Sequence, residues 1–297
     1  MFYKFRFKSS VFSHVVVCTA VFFSVLGCGI SQVKQSVNDF EINETESSNY
    51  ENIGDSYFNQ KNYQMAFVNY DRATQLNPRN TRPQYKRGLA RLSAGQYQKA
   101  LEEFNSIIDQ HPNYALAYEG QGRAFFLLND PERALRSFQK AISMDSDLWR
   151  TCGYLGILYD KQKQHESAKK KHLQAIQLRP NEGALYNNLG ISYLMVFDYD
   201  GAVHAFKTAL EKNYQHPKVY NNLGYALSKK GQYEEAYHAF QKGGDRAAAY
   251  NNLGCGFLAN DDPENASFYF RKALETKPEF YKKAADNLKK AESANLR

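Results

Sequence analysis

A motif that recurs every 34 residues constrains this chain more than any other feature of its sequence. Seven segments align on a shared glycine, and the sixth of them has only 30 residues. The segments are residues 47–80, 81–114, 115–148, 149–182, 183–216, 217–246 and 247–280. Because one such unit cannot bury its own apolar face, this period predicts a stack of units in which neighbours share a continuous core.

The segments share glycine at position 8, alanine at position 20 and, in all but one, an aromatic residue at position 24. A glycine inside a helix costs about 1 kcal/mol relative to alanine, so its recurrence predicts that a second helix packs closely there. We expect the aromatic side chains to fill the space between neighbouring hairpins. The pattern resembles the tetratricopeptide repeat, which implies an all-α fold: a right-handed α-solenoid of about seven helical hairpins. The glycines are Gly54, Gly88, Gly122, Gly156, Gly190, Gly224 and Gly254.

Three repeats depart from the pattern. Repeat two carries Arg87 and Arg91 where an apolar residue and a tyrosine are usual, so we expect its first helix to be shifted or partly exposed. Repeat four has His172 at the aromatic position. Repeat six has Gly243 and Gly244 where its second helix should continue. The four missing residues are either a tolerated deletion or an interruption that gives the groove a different shape at this point. The shortening predicts that repeat seven packs on repeat six at an altered angle.

Residues 281–297 predict one further element. This segment is amphipathic, with Ala284, Ala285 and Leu288 on one face and lysines opposite. Repeat arrays need polar terminal caps for solubility. We therefore expect a C-terminal capping helix.

The N-terminus has the layout of a signal peptide. Three basic residues precede an uncharged apolar run over residues 11–26, which is shorter than the ~20 residues of a membrane-spanning helix. The sequence from Val25 to Cys28 resembles the bacterial lipobox. The resemblance implies that residues 1–27 are removed, that Cys28 is lipidated, and that the protein faces the periplasm from the outer membrane. An ordinary signal peptide or an uncleaved anchor is the alternative.

Residues 28–46 link this predicted anchor to the repeats. They comprise the lipidated cysteine and a mostly polar segment without periodicity, which predicts a flexible tether. Attached in this way, the repeat array would be held at a membrane through its N-terminal lipid.

Composition argues against several classes of function. The formal charge of +7 falls to +4 without the three basic residues of the signal peptide, and it is dispersed, so we predict no nucleic-acid partner. No metal-binding spacing, phosphate loop or nucleophile elbow occurs, so we predict no metal, no cofactor and no enzymatic activity. Cys152 and Cys255 lie three repeats apart and are not expected to form a disulfide, because stacked repeats contact only their neighbours.

The family resemblance implies that the first helices line a concave groove. Asparagine offers a donor and an acceptor together, so a row of asparagines predicts binding of a peptide main chain. Asparagine that is merely common in the repeat is the alternative. Basic residues in the first half of the groove predict a partner segment with an acidic end. The candidate residues are Asn52, Arg82, Lys86, Arg123, Arg150, Asn187, Asn188, Asn221, Asn222, Asn251 and Asn252.

Together these features predict a lipid-anchored scaffold that binds a protein or an extended peptide. By general architecture the chain resembles the tetratricopeptide lipoproteins of tight-adherence (Flp) pilus systems and the pilotins of type IV pili. The alternatives are an adaptor that regulates peptidoglycan hydrolases and a protein of polysaccharide export. The sequence predicts no oligomeric state.

Overall fold

The computed structural model describes residues 43–277 and 282–295. Every regular element in these ranges is an α-helix, which confirms the predicted all-α fold of successive hairpins. None of these helices is long and apolar enough to cross a membrane. The predicted signal peptide, Cys28 and residues 29–42 of the tether lie outside the described residues.

The chain divides into two compact units, one ending at residue 112 and one beginning at residue 113. The helices of the first unit are α1 (43–59), α2 (Tyr63–Leu76), α3 (Thr81–Ser93) and α4 (Tyr97–Gln110). The helices of the second unit are α5 (Ala115–Leu127), α6 (Pro131–Met144), α7 (Trp149–Lys161), α8 (His165–Leu178), α9 (Gly183–Met195), α10 (Tyr199–Glu211), α11 (Pro217–Lys229), α12 (Tyr233–Gly243), α13 (Arg246–Leu258), α14 (Pro263–Thr276) and α15 (Lys282–Asn295).

The shared glycine of each repeat lies against the position-24 side chain of its own hairpin. A Cβ atom placed on Gly190 would lie 2.6 Å from the ring of Phe206, and one on Gly254 would lie 2.7 Å from Phe270. These rings are fully buried, as are all seven position-20 alanines. Our prediction that the rings fill the space between hairpins was therefore incomplete. Phe138 stacks on Tyr154 of the next repeat, as predicted. The same ring also packs on Gly122 of its own hairpin, where a Cβ atom would lie 2.7 Å from it.

Repeat two keeps this geometry, so its first helix is not shifted, whereas the predicted partial exposure is present, because the Arg87 and Arg91 side chains are each 22% exposed. Helix α3 begins at the first residue of its segment, and Gly88 packs on Phe104 as in the other repeats. The Arg87 guanidinium bridges Asp71 and Glu103, and Arg91 Nε lies 2.9 Å from Glu103 Oε1. Because two neighbouring helices supply the carboxylates, the arginines replace apolar residues without moving the helix.

The short sixth repeat ends in a glycine contact. Helix α12 has 11 residues and ends at Gly243, and α13 begins three residues later. The side-chain amide of Asn221 donates to the Gly243 carbonyl over 3.3 Å, and a Cβ atom on Gly243 would lie 2.5 Å from Asn221 Oδ1. A side chain at position 243 would therefore displace the Asn221 amide, which joins the end of the shortened helix to α11. The altered docking angle of repeat seven stays a prediction.

Both ends of the array contain helix beyond the seven segments. Helix α15 forms the predicted cap and buries Ala284 and Ala291, and its Asn287 bonds to Asn251 of α13. At the other end, residues 43–46 are helical, although we assigned them to the tether. The Ser47 hydroxyl, which is buried, donates to the Ala73 carbonyl over 2.8 Å and ties this helix to α2.

Repeat four has a histidine, His172, at position 24, where the other repeats have phenylalanine or tyrosine, and this difference generates a prediction. Its ring is fully buried against Gly156, and neither ring nitrogen has a hydrogen-bond partner among the described residues. An unsatisfied buried polar group costs about 1–3 kcal/mol. His172 Nε2 lies 3.7 Å from the Asp160 carboxylate, which is too long for a hydrogen bond, so we expect His172→Phe to raise the urea and thermal unfolding midpoints. The matched change, Phe206→His, should lower them. A lower midpoint for His172→Phe would contradict this account.

Candidate functional site

Asparagine side chains connect the first helices of the last three repeats and the cap. Asn222 Nδ2 donates to Asn187 Oδ1 over 3.5 Å, and Asn252 Nδ2 donates to Asn221 Oδ1 over 3.3 Å. The cap continues the series, because Asn287 Nδ2 lies 3.0 Å from Asn251 Oδ1. These asparagines therefore form a row of amides that joins neighbouring helices, and the binding of a peptide main chain by this row stays a prediction. Asn287 was missed because it lies outside the repeat register.

Two amide groups of this row keep capacity for a ligand. Asn188 Oδ1 accepts from Asn187, but Asn188 Nδ2 has no hydrogen-bond partner among the described residues. Asn222 donates to Asn187, and within the same part of the chain its Oδ1 accepts no hydrogen bond. Asn251, by contrast, is fully buried and serves the cap. A donor on α9 and an acceptor on α11 are thus available, and these are the first helices of successive repeats.

A cavity of about 340 Å³ lies between α7 and α9. This volume is at the small end of the range for ligand pockets, roughly 300–1,000 Å³. Repeats four and five supply equivalent residues to its walls, since Ile157 and Ile191 both lie at repeat position 9. Helix α8 contributes the buried His172. The lining residues are Ile157, Asp160, Lys161, His172, Asn188, Ile191 and Met195. One free amide group and one apolar pocket therefore lie side by side.

Asp160 holds the three helices around this cavity. Its Oδ1 lies 2.9 Å from His165 Nδ1 of α8, and its Oδ2 accepts a hydrogen bond from the Ser192 hydroxyl of α9. His172 Nε2 is 3.7 Å from the same carboxylate, which is longer than a hydrogen bond. Burial by itself would raise the pKa of Asp160, but His172 and the bonds from Ser192 and His165 outweigh it and lower that pKa. The carboxylate is therefore ionised at neutral pH.

The basic residues predicted for the first half of the groove are mostly neutralised, which corrects our prediction of a basic end. Arg82 and Lys86 both pair with Glu51, which is almost fully buried, and Lys86 also pairs with Asp55 at 2.6 Å.

The other two basic candidates differ from each other. Arg123 Nη1 lies 3.9 Å from Glu119, a buried carboxylate that also accepts from Thr151. Arg150 is exposed beside the Trp149 ring and has no ion pair among the described residues. Asn52 is exposed on α1, in the other unit from the amide row. Arg150 is thus the one predicted basic candidate whose charge the described carboxylates leave uncompensated.

These hairpins and their shared glycine–ring contact define a helical-repeat protein. Three models of the tetratricopeptide repeat match the chain, at residues 85–148, at residues 205–238, and at residues 47–80 and 247–280. The matched ranges together span more than half of the sequence. The chain therefore belongs to the tetratricopeptide repeat proteins.

Solved structures of the family have the same fold. YrrB, a tetratricopeptide repeat protein with an unusual peptide-binding site, aligns with a TM-score of 0.52 at 23% identity, over 63% of this chain and 97% of its own. A tetratricopeptide repeat protein from Parabacteroides merdae ATCC 43184 aligns with a TM-score of 0.53 at 16% identity, over 83% of this chain and 99% of its own.

Curated relatives match part of the chain. The small glutamine-rich tetratricopeptide repeat-containing protein 2 of Saccharomyces cerevisiae is 28% identical over 118 residues, which are 40% of this chain and 32% of the relative. The BBSome complex member BBS4 of Xenopus tropicalis is 32% identical over 113 residues, 38% of this chain and 22% of the relative. The chain thus spans a third or less of the length of these relatives.

The lowered pKa of Asp160 generates a prediction about pH. A carboxylate whose pKa is depressed on folding stabilises the folded state above its unfolded pKa, about 3.9, and this stabilisation is lost as the pH falls through the folded value. We expect Asp160→Asn to lower the thermal midpoint at pH 7. The difference from the unaltered chain should shrink as the pH falls below about 4. The exposed Asp109→Asn serves as control, and a difference that does not change with pH would contradict the assignment.

Proposed function

We propose that this chain is a non-enzymatic scaffold that binds an extended segment of a partner protein along helices α7, α9 and α11. The observation that carries the proposal is the apolar cavity lined by Asn188, whose side-chain N–H groups are free, together with the free side-chain oxygen of Asn222 on α11. Packed helices lie about 8–10 Å apart, and an extended chain advances about 3.3–3.6 Å per residue. Side-chain groups on the first helices of successive repeats are therefore spaced to contact main-chain groups about three residues apart in a bound peptide.

The hydrogen-bonding groups of this surface, like the spacing of its helices, favour an extended peptide over a compact ligand. Asn188 supplies a donor and Asn222 an acceptor, and a peptide main chain carries acceptors and donors in alternation. Such contacts hold a main chain without demanding a sequence, whereas the adjacent cavity selects a side chain. Affinity and specificity would then come from different parts of one site.

The proposal separates binding asparagines from structural ones, which makes it testable. A nine-residue peptide library is selected against the purified full chain, and binding is measured by fluorescence anisotropy. We expect Asn188→Ala to lower the affinity for the selected peptides by roughly tenfold, because one hydrogen bond contributes about 1 kcal/mol or more. The unfolding midpoint should change little.

Two matched variants complete this experiment. Asn251→Ala removes a buried contact to the cap, so it should lower the unfolding midpoint while the folded fraction still binds peptide. Asn52→Ala should change neither quantity. Selection of no peptide at all, or unchanged affinity in Asn188→Ala, would count against the proposed function.

We also propose that the scaffold is a lipoprotein at the periplasmic face of the outer membrane, where it assists the assembly of a pilus or secretion system. The run from Val25 to Cys28 and the polar residues that follow it support the lipid anchor. Attachment by several acyl chains would be stable, whereas a single chain binds a membrane only marginally.

Metabolic labelling tests this anchor directly. Radioactive palmitate should label the unaltered protein and should not label Cys28→Ala. Cys255→Ala is the matched control, because it removes another cysteine and should keep the label. Labelling that persists in Cys28→Ala would rule out lipid attachment at this residue.

A further inference from the structure

The second helix of repeat three carries three cations on one face. Arg133, Arg136 and Lys140 lie at repeat positions 19, 22 and 26, and no other repeat has more than one lysine or arginine at these positions. Residues three or four apart on a helix are neighbours, with Cβ atoms about 5–6 Å apart, and like charges at this spacing destabilise the helix. An anion held between these side chains would remove that repulsion.

The three cations line one cavity, which lies between α5 and α6 and has a volume of about 290 Å³. Tyr118 and Phe125 of α5 also line it. Repeat six has a cavity built from the same repeat positions, with a volume of about 250 Å³. That cavity has leucines at positions 7 and 11 and Glu235 at position 19. The same positions therefore form a basic cavity in repeat three and a more apolar one in repeat six.

Two contacts hold the Arg133 guanidinium in place at this cavity. Its Nε lies 2.6 Å from Asp130 Oδ2, and its central carbon lies 4.5 Å from the centre of the Phe125 ring. Asp130 is itself fixed, because its Oδ1 accepts a hydrogen bond from the Arg133 main-chain N–H at the start of α6. The two terminal nitrogens of Arg133 bond to none of the described residues. These nitrogens, with which arginine binds oxyanions, are therefore free and held in position.

Three further groups at the cavity are available to a ligand. Arg136 and Lys140 are exposed, and neither forms an ion pair within the part of the chain that the structure describes. The Tyr118 hydroxyl, in the same part of the chain, makes no hydrogen bond. Glu132, four residues before Arg136, does not line the cavity. Donors from both helices of the hairpin thus meet at one cavity without partners.

The charge of this cluster matches that of a phosphate monoester. Hydrogen bonds from the main chain and side chain of Arg133, with the charges of Arg133 and Arg136, lower the pKa of Asp130, so its carboxylate is ionised at neutral pH. Together with the three cations, this carboxylate leaves a net charge of +2. A phosphate monoester carries about −1.5 to −2 at pH 7 and has three strong acceptor oxygens. A carboxylate or a sulfate ester carries a single charge and would leave one cation uncompensated.

We propose that the cavity between α5 and α6 binds a phosphate monoester group. Arg136 and Lys140 pair with its oxygens, the terminal nitrogens of Arg133 donate to it, and the Tyr118 hydroxyl supplies one more hydrogen bond. The volume lies just below the roughly 300–1,000 Å³ of ligand pockets. The cavity therefore takes the phosphate and a small part of the molecule that carries it, which is either a soluble compound or a lipid headgroup.

This site is separate from the proposed peptide site. Its first-helix residues lie at repeat positions 4, 7 and 11, whereas those of the cavity between α7 and α9 lie at positions 6, 9, 12 and 13. At 3.6 residues per turn these two sets occupy opposite sides of a first helix. The inference therefore adds a second ligand and does not rest on the proposed function.

The first test compares phenyl phosphate with phenyl sulfate, which has the same shape but a single charge. Binding to the purified full chain is measured by isothermal titration calorimetry. We expect phenyl phosphate to bind about tenfold or more tightly at pH 7. This preference should shrink as the pH falls below about 6, because the phosphate then takes up a proton. Equal binding of the two probes at pH 7, or a preference that does not change with pH, would overturn the assignment.

A pair of double variants locates the site. Arg136→Gln combined with Lys140→Gln should weaken phenyl phosphate about tenfold or more. The unfolding midpoint should stay the same or rise slightly, because both side chains are exposed and their charges repel each other. Lys170→Gln combined with Lys242→Gln is the matched control, since it removes two exposed lysines at positions 22 and 26 of other repeats and should preserve the affinity. An equal loss in both double variants would contradict a site at this cavity.

Vesicles distinguish the two sources of the phosphate. The chain is sedimented with phosphatidylcholine vesicles that contain or lack phosphatidic acid, whose headgroup is a phosphate monoester. Extra sedimentation with phosphatidic acid that requires Arg136 and Lys140 would assign the site to a lipid headgroup. Saturable binding of phenyl phosphate without this extra sedimentation would assign it to a soluble compound.

Two other outcomes would overturn the inference. One is the absence of saturable binding to phenyl phosphate and to phosphatidic acid alike. The other is displacement of phenyl phosphate by single-stranded DNA, which would show a general polyanion surface. Peptide binding through Asn188 is measured separately, so failure of the phosphate site and failure of the proposed function are distinguishable.

Discussion

The contact between the position-8 glycine and the position-24 ring is the interaction on which the described structure depends. In each hairpin the ring occupies the space that a Cβ atom would need, so the two helices approach closely and the buried alanine at position 20 completes the contact. Because every hairpin repeats this geometry, equivalent positions of neighbouring first helices within a unit come into contact, as the asparagines of the last three repeats do. The amide row and the cavity are consequences of that repetition.

A second contact recurs between neighbouring first helices, from position 5 of one repeat to position 6 of the next. In the first unit it is an ion pair between Glu51 and Lys86, and in the last repeats it is an amide pair, such as Asn187 with Asn222. The same geometric relation thus accommodates two kinds of polar partner. The ion pair uses up the charge of Lys86, whereas the amide pair leaves one group of Asn222 available.

Most of the fold was predictable from sequence because its defining contacts are local. Helices α3, α5, α7, α9 and α11 begin at the first residue of their segments, and α13 begins one residue early. The site was less predictable, since its contacts join residues more than 30 positions apart. Glu51 neutralises Arg82 across 31 residues, and no pattern within one repeat reveals that pair. The extension of α1 over residues 43–46 was missed because that segment lacks an apolar period.

Repeat four shows how the core and the proposed site are coupled. His172 replaces the ring that other hairpins use, and the same side chain lines the cavity beside Asp160. A polar ring at position 24 disagrees with the apolar contact that the other hairpins make between this position and the position-8 glycine. The repeat pattern is therefore interrupted at the hairpin that lines the cavity. Under the proposed function, stack stability and peptide binding use different atoms of the same helices, so a bound peptide would not displace the contacts that hold the repeats together.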